Sequence, residues 1–131
     1  MIGVDTNVLV RYLAQDDPEQ AALATKVFER GPHADRILLV LVVLAETWWV
    51  LSRSYGMAPD AIADVIAGLL TAEEIVVSDE PTVRMALAQV RRGHDFADAL
   101  IAAACRADGA DHTVTFDKKA SSLDGMALLT R

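Results

Sequence analysis

Four acidic side chains occupy positions where a carboxylate is able to do chemistry as well as face solvent. Asp5 directly follows the short apolar segment that opens the chain, and Asp117 follows a predicted strand, residues 111–115, near the other end. Glu46 interrupts a long apolar stretch, and Asp98 lies at the start of an alanine-rich one. Carboxylates that are brought together repel each other unless a cation neutralises them. If the fold gathers these acids, the sequence predicts a metal site.

Glu46 gives the strongest single indication of such a site. Between Ile37 and Leu51 only Glu46 and Thr47 are polar, so we expect Glu46 to be buried. Burying an unpaired carboxylate costs on the order of several kcal/mol, so a buried acid is normally paired, metal-bound or exposed to a cavity. No Lys or Arg lies within one helical turn of Glu46. A shared metal ion would resolve its charge.

The other acids also have a purely structural interpretation, which stays open at this point. Asp5 and Asp117 are suited to helix N-caps, where Asp is favoured. Asp98 is suited to a capping box with Asp95, or to the positive end of a helix dipole. Asp17, which precedes Pro18, is a similar helix start to which we assign no chemistry.

The type of ligand predicts the type of metal and of reaction. Oxygen ligands without a His/Cys cluster favour Mg²⁺ or Mn²⁺ over Zn²⁺. The histidines fall in turns or at a strand start and are interpreted as surface residues: His33, His94 and His112. A phosphodiester is the substrate that such a metal suits, because the ion lowers the pKa of a bound water and stabilises the leaving oxygen. No Ser-His-Asp or Cys-His arrangement suggests a protein nucleophile.

Hydrophobic periodicity places these acids on an α/β framework. Strands are predicted over about 1–4, 37–40, 74–77, 111–115 and 127–129, and helices over about 6–13, 18–29, 41–51, 60–70, 82–91 and 97–107. Strands separated by helices predict one α/β domain over residues 1–131, with a mostly parallel sheet of four or five strands. Asp5 and Asp117 would follow the carboxyl ends of strands, where such sheets bind ligands. No Gly-rich phosphate loop follows a strand, so no nucleotide cofactor is predicted.

Composition limits the remaining choices. The 131 residues carry a net charge of −7, which argues against a simple basic clamp on nucleic acid. The charge is compatible with an acidic metal site and would attract a basic partner. No signal peptide and no segment long enough to cross a membrane is seen, so we expect a cytoplasmic protein.

Four blocks of sequence carry a resemblance to a known family. They are DTNVL at 5–9, LAE at 44–46 followed by WWVL at 48–51, DFADALIA at 95–102 and TFDK at 115–118. Together they resemble the PIN-domain ribonucleases, and most closely the VapC toxins of bacterial toxin–antitoxin pairs. The resemblance covers essentially the whole chain.

The resemblance implies a fold, an activity and partners. The fold would be a three-layer α/β/α sandwich with strand order 3-2-1-4-5, in which the first and fourth strands are neighbours and bring Asp5 near Asp117. The activity would be that of an endoribonuclease that depends on Mg²⁺ or Mn²⁺. The partners would be RNA, a small antitoxin protein and a second copy of the chain in a homodimer.

The resemblance also implies a role for each site residue. Asp5, Glu46, Asp98 and Asp117 match the acidic quartet, with Asp5 and Asp98 as the most direct metal ligands. Glu46 and Asp117 would act through waters or hold a second ion. The supporting positions are Thr6, Asn7 and Thr115, with Asp95 as a cap or outer-shell group. The candidate phosphate contacts are Arg11, Lys118 and Lys119.

Two rival functions and one partner surface complete the predictions. A phosphatase would use Asp5 as nucleophile, but such enzymes commonly have a second acid two residues on, where this chain has Asn7. A non-catalytic PIN-like binding domain would have no need of an intact quartet. Of the adjacent Trp48 and Trp49, which point about 100° apart on a helix, one is expected in the core and the other at a partner contact. Exposed apolar residues on the helices between Asp16 and Leu70 are expected to bind the antitoxin.

Overall fold

The computed structural model describes residues 1–31 and 33–131, which form two compact units. The N-terminal unit comprises residues 1–78 and the C-terminal unit residues 79–131. Each unit combines helices with parallel strands. The predicted α/β class is therefore confirmed, and a single domain over residues 1–131 stays a prediction.

The N-terminal unit contains a three-stranded parallel sheet in the order β1-β2-β3. The strands are β1 (Ile2–Gly3), β2 (Ile37–Leu39) and β3 (Ile75–Val77). Ile2 is paired with Ile37, and Ile37 with Ile75, so all three strands run in the same direction. Because parallel strands end at the same edge of a sheet, the chain leaves β1 and β2 at one edge.

Four helices accompany this sheet. They are α1 (Thr6–Ala14), α2 (Pro18–Phe28), α3 (Leu41–Arg53) and α4 (Pro59–Thr71). Asp17 caps α2 by accepting a hydrogen bond from the backbone N–H of Gln20 at 3.0 Å, as its position before Pro18 predicted. Helix α1 packs against both α2 and α3. The start of α1 at Thr6 and the second turn of α3 at Glu46 thereby lie within hydrogen-bond distance.

The C-terminal unit begins with two helices that pack against each other, α5 (Glu80–Val90) and α6 (Phe96–Ala107). A parallel pair of strands follows, β4 (Thr113–Thr115) and β5 (Met126–Leu128), with Thr115 opposite Leu128. The link between these strands contains a 3₁₀ turn at Ala120–Ser122 that periodicity did not predict. The helix boundaries agree with the predictions to within a few residues.

The strand orders agree with part of the predicted order 3-2-1-4-5. The run 3-2-1 is found in the N-terminal unit and the pair 4-5 in the C-terminal unit. The adjacency of β1 and β4 stays a prediction. Among the described residues, none of the helices is both long and apolar enough to cross a membrane.

Candidate active site

Thr6 joins two of the predicted site acids in the N-terminal unit. Its backbone N–H donates to Oδ1 of Asp5 at 2.7 Å, and its hydroxyl donates to Oε1 of Glu46 at 2.7 Å. Asp5 is thus the N-cap of α1, and the structural interpretation of Asp5 is correct. The cap uses one carboxylate oxygen, and among the described residues the other has no hydrogen-bond partner, so capping does not exclude metal binding. The predicted supporting role of Thr6 has a physical basis here, since Thr6 fixes both acids.

The expectation that Glu46 is buried is wrong. Glu46 is exposed, on a face of α3 that also carries Val42, Trp49 and Arg53. The apolar run gave a wrong prediction because Val42 and Trp49 are apolar but exposed, so the sequence of the helix does not show an amphipathic pattern. Trp48, by contrast, is buried, so the two tryptophans divide between core and surface as predicted. The assignment of Glu46 to the site now depends on its hydrogen bond to Thr6 and not on a desolvation cost.

The buried polar residue of α3 is Thr47, the neighbour of Glu46. Thr47 is fully buried, and within the described residues its hydroxyl oxygen has no hydrogen-bond partner. Most buried hydroxyls are hydrogen-bonded, because leaving one unsatisfied costs about 1–3 kcal/mol. Glu46 and Thr47 are the two polar residues in the apolar run, and the helix buries Thr47 and exposes Glu46.

The Asp5–Thr6–Glu46 group lines an open cleft. The cleft extends past Asn7 to Arg11 and to residues that follow α1 and α3. Its lining residues are Asp5, Thr6, Asn7, Val10, Arg11, Asp16, Glu46, Val50, Ser54 and Tyr55. Both polar and apolar atoms are presented, and the cleft is wide open to solvent. An extended chain with charged groups suits such a cleft better than a small apolar ligand does.

Arg11 is held at one wall of this cleft by a polar network. Its guanidinium donates to Oδ1 of Asp16 at 3.2 Å, to the Tyr55 hydroxyl at 3.2 Å and to Oε1 of Gln20 at 2.8 Å. The Tyr55 hydroxyl in turn donates to Oδ2 of Asp16 at 2.7 Å. That hydrogen bond lowers the pKa of Asp16 and raises the pKa of Tyr55. Sequence reasoning missed Asp16 and Tyr55, because neither lies in a recognisable motif.

In the C-terminal unit, Asp95 and Asp98 lie in the first turn of α6. Asp95 is the N-cap and accepts a hydrogen bond from the backbone N–H of Asp98 at 3.1 Å, so its predicted cap role is confirmed. Gly93, with φ of +96°, forms the turn that delivers the chain to this cap. The Asp98 carboxylate itself has no hydrogen-bond donor among the described residues.

The surroundings of the Asp98 carboxylate disfavour its negative charge. Partial burial raises the pKa of its carboxyl, and the negative charges of Asp95 and Asp117 raise that pKa further. The charge of His94 acts in the opposite direction but is the smallest effect. A carboxylate that lacks donors and lies near other negative charges is one that a cation would stabilise.

Asp117 stands at the end of β4 in a tight turn. Its backbone N–H donates to the Thr115 hydroxyl at 3.0 Å. Its Oδ1 accepts from the backbone N–H groups of Lys119 at 2.9 Å and Ala120 at 3.1 Å. Asp117 therefore starts the 3₁₀ turn, and Oδ2 takes part in none of these bonds. Thr115 holds the turn in place, consistent with the supporting role expected of it.

The carboxylates suit a hard divalent cation in one common respect. One oxygen of each carboxylate accepts a hydrogen bond that fixes the side chain, and the second oxygen lies outside that bond. This holds for Asp5, Glu46 and Asp117. Within either unit, the described residues contain no group of three or more His, Cys, Asp or Glu side chains placed to hold a metal. The expectation that the acids of both units serve one cation stays a prediction.

The candidate phosphate contacts differ in how available they are. Lys118 and Lys119 are exposed beside Asp117, whereas the Arg11 guanidinium already has protein partners. The geometry alone does not test whether these three side chains contact RNA, so all three contacts stay predictions.

Comparison with known proteins identifies the family. The PIN domain model matches residues 2–126, which spans both units, and the chain belongs to the PIN domain family. Among solved structures, the chain is similar to Mycobacterium tuberculosis VapC20, whose structure is described as that of a toxin that cleaves the sarcin–ricin loop. That similarity has 22% identity and a TM-score of 0.46, and covers 93% of this chain and 94% of VapC20. No curated protein matches the sequence.

Proposed function

We propose that this PIN domain is a Mg²⁺- or Mn²⁺-dependent endoribonuclease, and that it is the toxin of a toxin–antitoxin pair. Membership of the PIN domain family supports a nuclease. The observation that carries the proposal is the Thr6 bridge, which fixes Asp5 and Glu46 side by side at the mouth of an open cleft. A helix cap alone requires no bond between Thr6 and an acid forty residues away.

The proposed roles follow from how each acid is held. Asp5 and Asp98 would be the principal metal ligands: Asp5 is oriented by its cap, and the charge of Asp98 is disfavoured by partial burial and by neighbouring acids, which a cation would offset. Glu46 and Asp117 would hold ordered waters or a second ion through the carboxylate oxygens outside these hydrogen bonds. Thr6, Thr115 and Asp95 position these acids, and Asn7 lines the cleft beside them.

The protein's own contribution to the reaction is placement and charge. When bound, a divalent cation would lower the pKa of a water that attacks the phosphodiester and would neutralise the leaving oxygen. Ser54 lines the cleft, but no histidine or cysteine does among the described residues, so the cleft does not support a serine–histidine or cysteine–histidine covalent route. The exposed Lys118 and Lys119 would contact phosphates of the RNA. Arg11 would contact a phosphate through the guanidinium nitrogen that takes part in none of its hydrogen bonds to Asp16, Gln20 and Tyr55.

Exposed apolar side chains support a protein partner. Leu23 on α2, and Val42 and Trp49 on α3, are each more than half exposed. Leu23 borders an apolar groove between α1 and α2 that Val8, Ala24 and Val27 also line. We propose that these exposed apolar residues and this groove bind a small basic antitoxin. The net charge of −7 is complementary to such a partner. A homodimer and a cytoplasmic location complete the proposal, both carried by the resemblance to VapC toxins.

A cleavage assay on a mixed RNA pool tests the proposed function. Wild-type protein, Asp5→Asn and the control Asp108→Asn, an exposed acid at the far end of α6, are each incubated with Mn²⁺ or with chelator. We expect cleavage by wild type and Asp108→Asn with Mn²⁺ only, and none by Asp5→Asn. If wild type binds RNA but Mn²⁺ neither binds nor raises its melting temperature, the domain is a non-catalytic binding module. A phosphorylated Asp5 would establish the phosphatase instead.

A further inference from the structure

Phe116 is an aromatic side chain that the protein displays to solvent. It is 83% exposed, more than any other large hydrophobic residue that the structure describes, the next being the chain-terminal Met1 at 67%. Within the same residues its ring has no aromatic or cationic partner. Trp49, the other prominent exposed aromatic residue, is partly covered by the Arg53 guanidinium at 5.8 Å. Phe116 therefore contributes little to the core and is available to a partner.

The backbone around Phe116 is fixed on both sides. Before it, the Thr115 carbonyl accepts a hydrogen bond from the backbone N–H of Leu129 at 2.7 Å, which anchors the end of β4. After it, the backbone N–H of Asp117 donates to the Thr115 hydroxyl, and the Asp117 carboxylate closes the following turn. A ring presented by a rigid segment loses little conformational freedom when it binds, so its contact area is converted efficiently into affinity.

The charges next to Phe116 indicate the kind of partner. Asp117, a proposed metal-site acid, is the next residue, and two exposed cations, Lys118 and Lys119, follow it. Paired lysines are notable in a chain of net charge −7. Proteins bind single-stranded nucleic acid by combining cations along the backbone with aromatic rings on which bases stack. The segment 116–119 offers both elements directly beside a proposed metal ligand.

We infer that Phe116 stacks on an unpaired nucleobase of the RNA substrate, adjacent to the phosphate that is cleaved. This inference rests on the proposed ribonuclease function and deepens it. Stacking requires a base that is not already in a helix, so Phe116 selects single strands, loops and bulges over duplex RNA. Stacking tolerates any base, so this residue sets the structural context of the cut and not its sequence.

Fluorescence of 2-aminopurine tests the inference. A single-stranded RNA oligonucleotide carries this base analogue next to the site that wild type cleaves, and the proteins carry Asp5→Asn so that the RNA stays intact. We expect binding to quench the fluorescence, and Phe116→Ala to remove the quench and weaken binding about 5- to 150-fold, which corresponds to roughly 1–3 kcal/mol of stacking. Phe116→Leu keeps an apolar side chain but has no aromatic ring, so it is also expected to lose the quench and to bind RNA weakly. Phe116→Trp is expected to retain both the quench and the binding.

Val114→Ala is the matched control, since Val114 is a non-aromatic residue that is also exposed on β4. It is expected to bind RNA like the parent protein. In the active enzyme, Phe116→Ala is expected to raise KM for single-stranded RNA with kcat retained, because the contact contributes to binding of the ground state and transition state alike. Normal RNA binding by Phe116→Leu would overturn the inference.

Three further outcomes separate this inference from its rivals. If Phe116→Ala and Val114→Ala both dissociate an oligomer in sedimentation analysis, Phe116 belongs to a protein interface and the inference is wrong. If wild type neither cleaves nor binds RNA in the presence of Mn²⁺, the proposed function itself fails. If wild type cleaves RNA and the Phe116 variants match it, only the role of Phe116 is refuted.

Discussion

The two units hold their candidate ligands in different ways. In the N-terminal unit, Asp5 and Glu46 each accept a hydrogen bond from Thr6, so both carboxylates are fixed by donors of the protein itself. In the C-terminal unit, the Asp98 carboxylate lies near Asp95 and Asp117, and their negative charges help to raise its pKa. Asp117 of the C-terminal unit is also fixed by backbone donors, so the contrast lies with Asp98, which has no donor among the described residues and lies near negative charges that a cation would offset.

The difference suggests a division of labour between the units. Donors that fix a carboxylate define where a ligand atom lies, at little cost in stability. Negative charges that face each other strengthen the attraction for a cation, at some cost to the stability of the metal-free protein. If one ion is shared as proposed, Asp5 and Glu46 would define the ligand positions and Asp98 would add to the affinity. The predictions below are ordered by the size of the expected effect.

Asp98→Asn is expected to have the largest effect on activity. If Asp98 is a principal metal ligand as proposed, its removal should reduce RNA cleavage by more than about 100-fold, since even outer-shell changes cost about 10- to 100-fold. The same substitution removes a repelled charge, so the metal-free protein should melt at a higher temperature than wild type. Cleavage rates and thermal melts in chelator measure the two effects. Asp108→Asn serves as the control, and a lower melting temperature for Asp98→Asn would show that the repulsion is absent.

Thr6→Val is expected to have the next largest effect. The variant keeps the shape of the side chain but loses the hydroxyl that donates to Glu46. Because Thr6 positions an acid and does not itself bind the metal, we expect a loss of roughly 10- to 100-fold in kcat. Thr6→Ser restores the hydroxyl and should restore most of the activity. Equal activities of the Val and Ser variants would mean that the bridge has no part in catalysis.

Thr47→Val is expected to stabilise the protein without affecting cleavage. The substitution removes a buried hydroxyl that has no partner among the described residues, which should raise the free energy of unfolding by about 1–3 kcal/mol. Chemical denaturation measures this difference, and Thr47→Ser, which keeps the hydroxyl and loses the methyl group, should be less stable than wild type. Destabilisation by Val would indicate that the hydroxyl has a partner after all.

Tyr55→Phe is expected to have the smallest effect, and one that depends on pH. The Tyr55 hydroxyl lowers the pKa of Asp16, so its stabilisation is present above the ordinary Asp pKa of 3.8 and is lost as pH falls through the lowered value. The variant should therefore melt slightly below wild type at neutral pH, and the two melting temperatures should converge in acid. A gap that stays constant down to strongly acidic pH would exclude this hydrogen bond as its source.

Local rules of sequence predicted the framework of both units. Asp17 before Pro18 correctly marked a helix start, and the acid after each of β1 and β4 correctly marked a strand end. These features depend on a few neighbouring residues, so a single sequence contains the information. The capping interpretation and the metal interpretation of Asp5 proved compatible, because a carboxylate has two oxygens.

Features that depend on tertiary packing were not predictable in this way. The prediction that Glu46 is buried was wrong because Val42 and Trp49, which are apolar but exposed, made the solvent-facing side of α3 look like a core face in the sequence. The bridge from Thr6 to Glu46 and the contact between Tyr55 and Asp16 span about forty residues of sequence, and no periodicity reports such pairs. The C-terminal repulsion likewise requires the end of β4 to lie near the first turn of α6.

A double-mutant cycle on Mn²⁺ affinity tests the central claim most directly, because that claim joins an acid from each unit to one metal ion. Calorimetric titration of wild type, Asp5→Asn, Asp98→Asn and the double variant gives the coupling between the two carboxylates. We expect either single substitution to remove most of the affinity, and the double variant to lose little more. Affinity losses that simply add, or Mn²⁺ binding that neither substitution weakens, would contradict a shared ion.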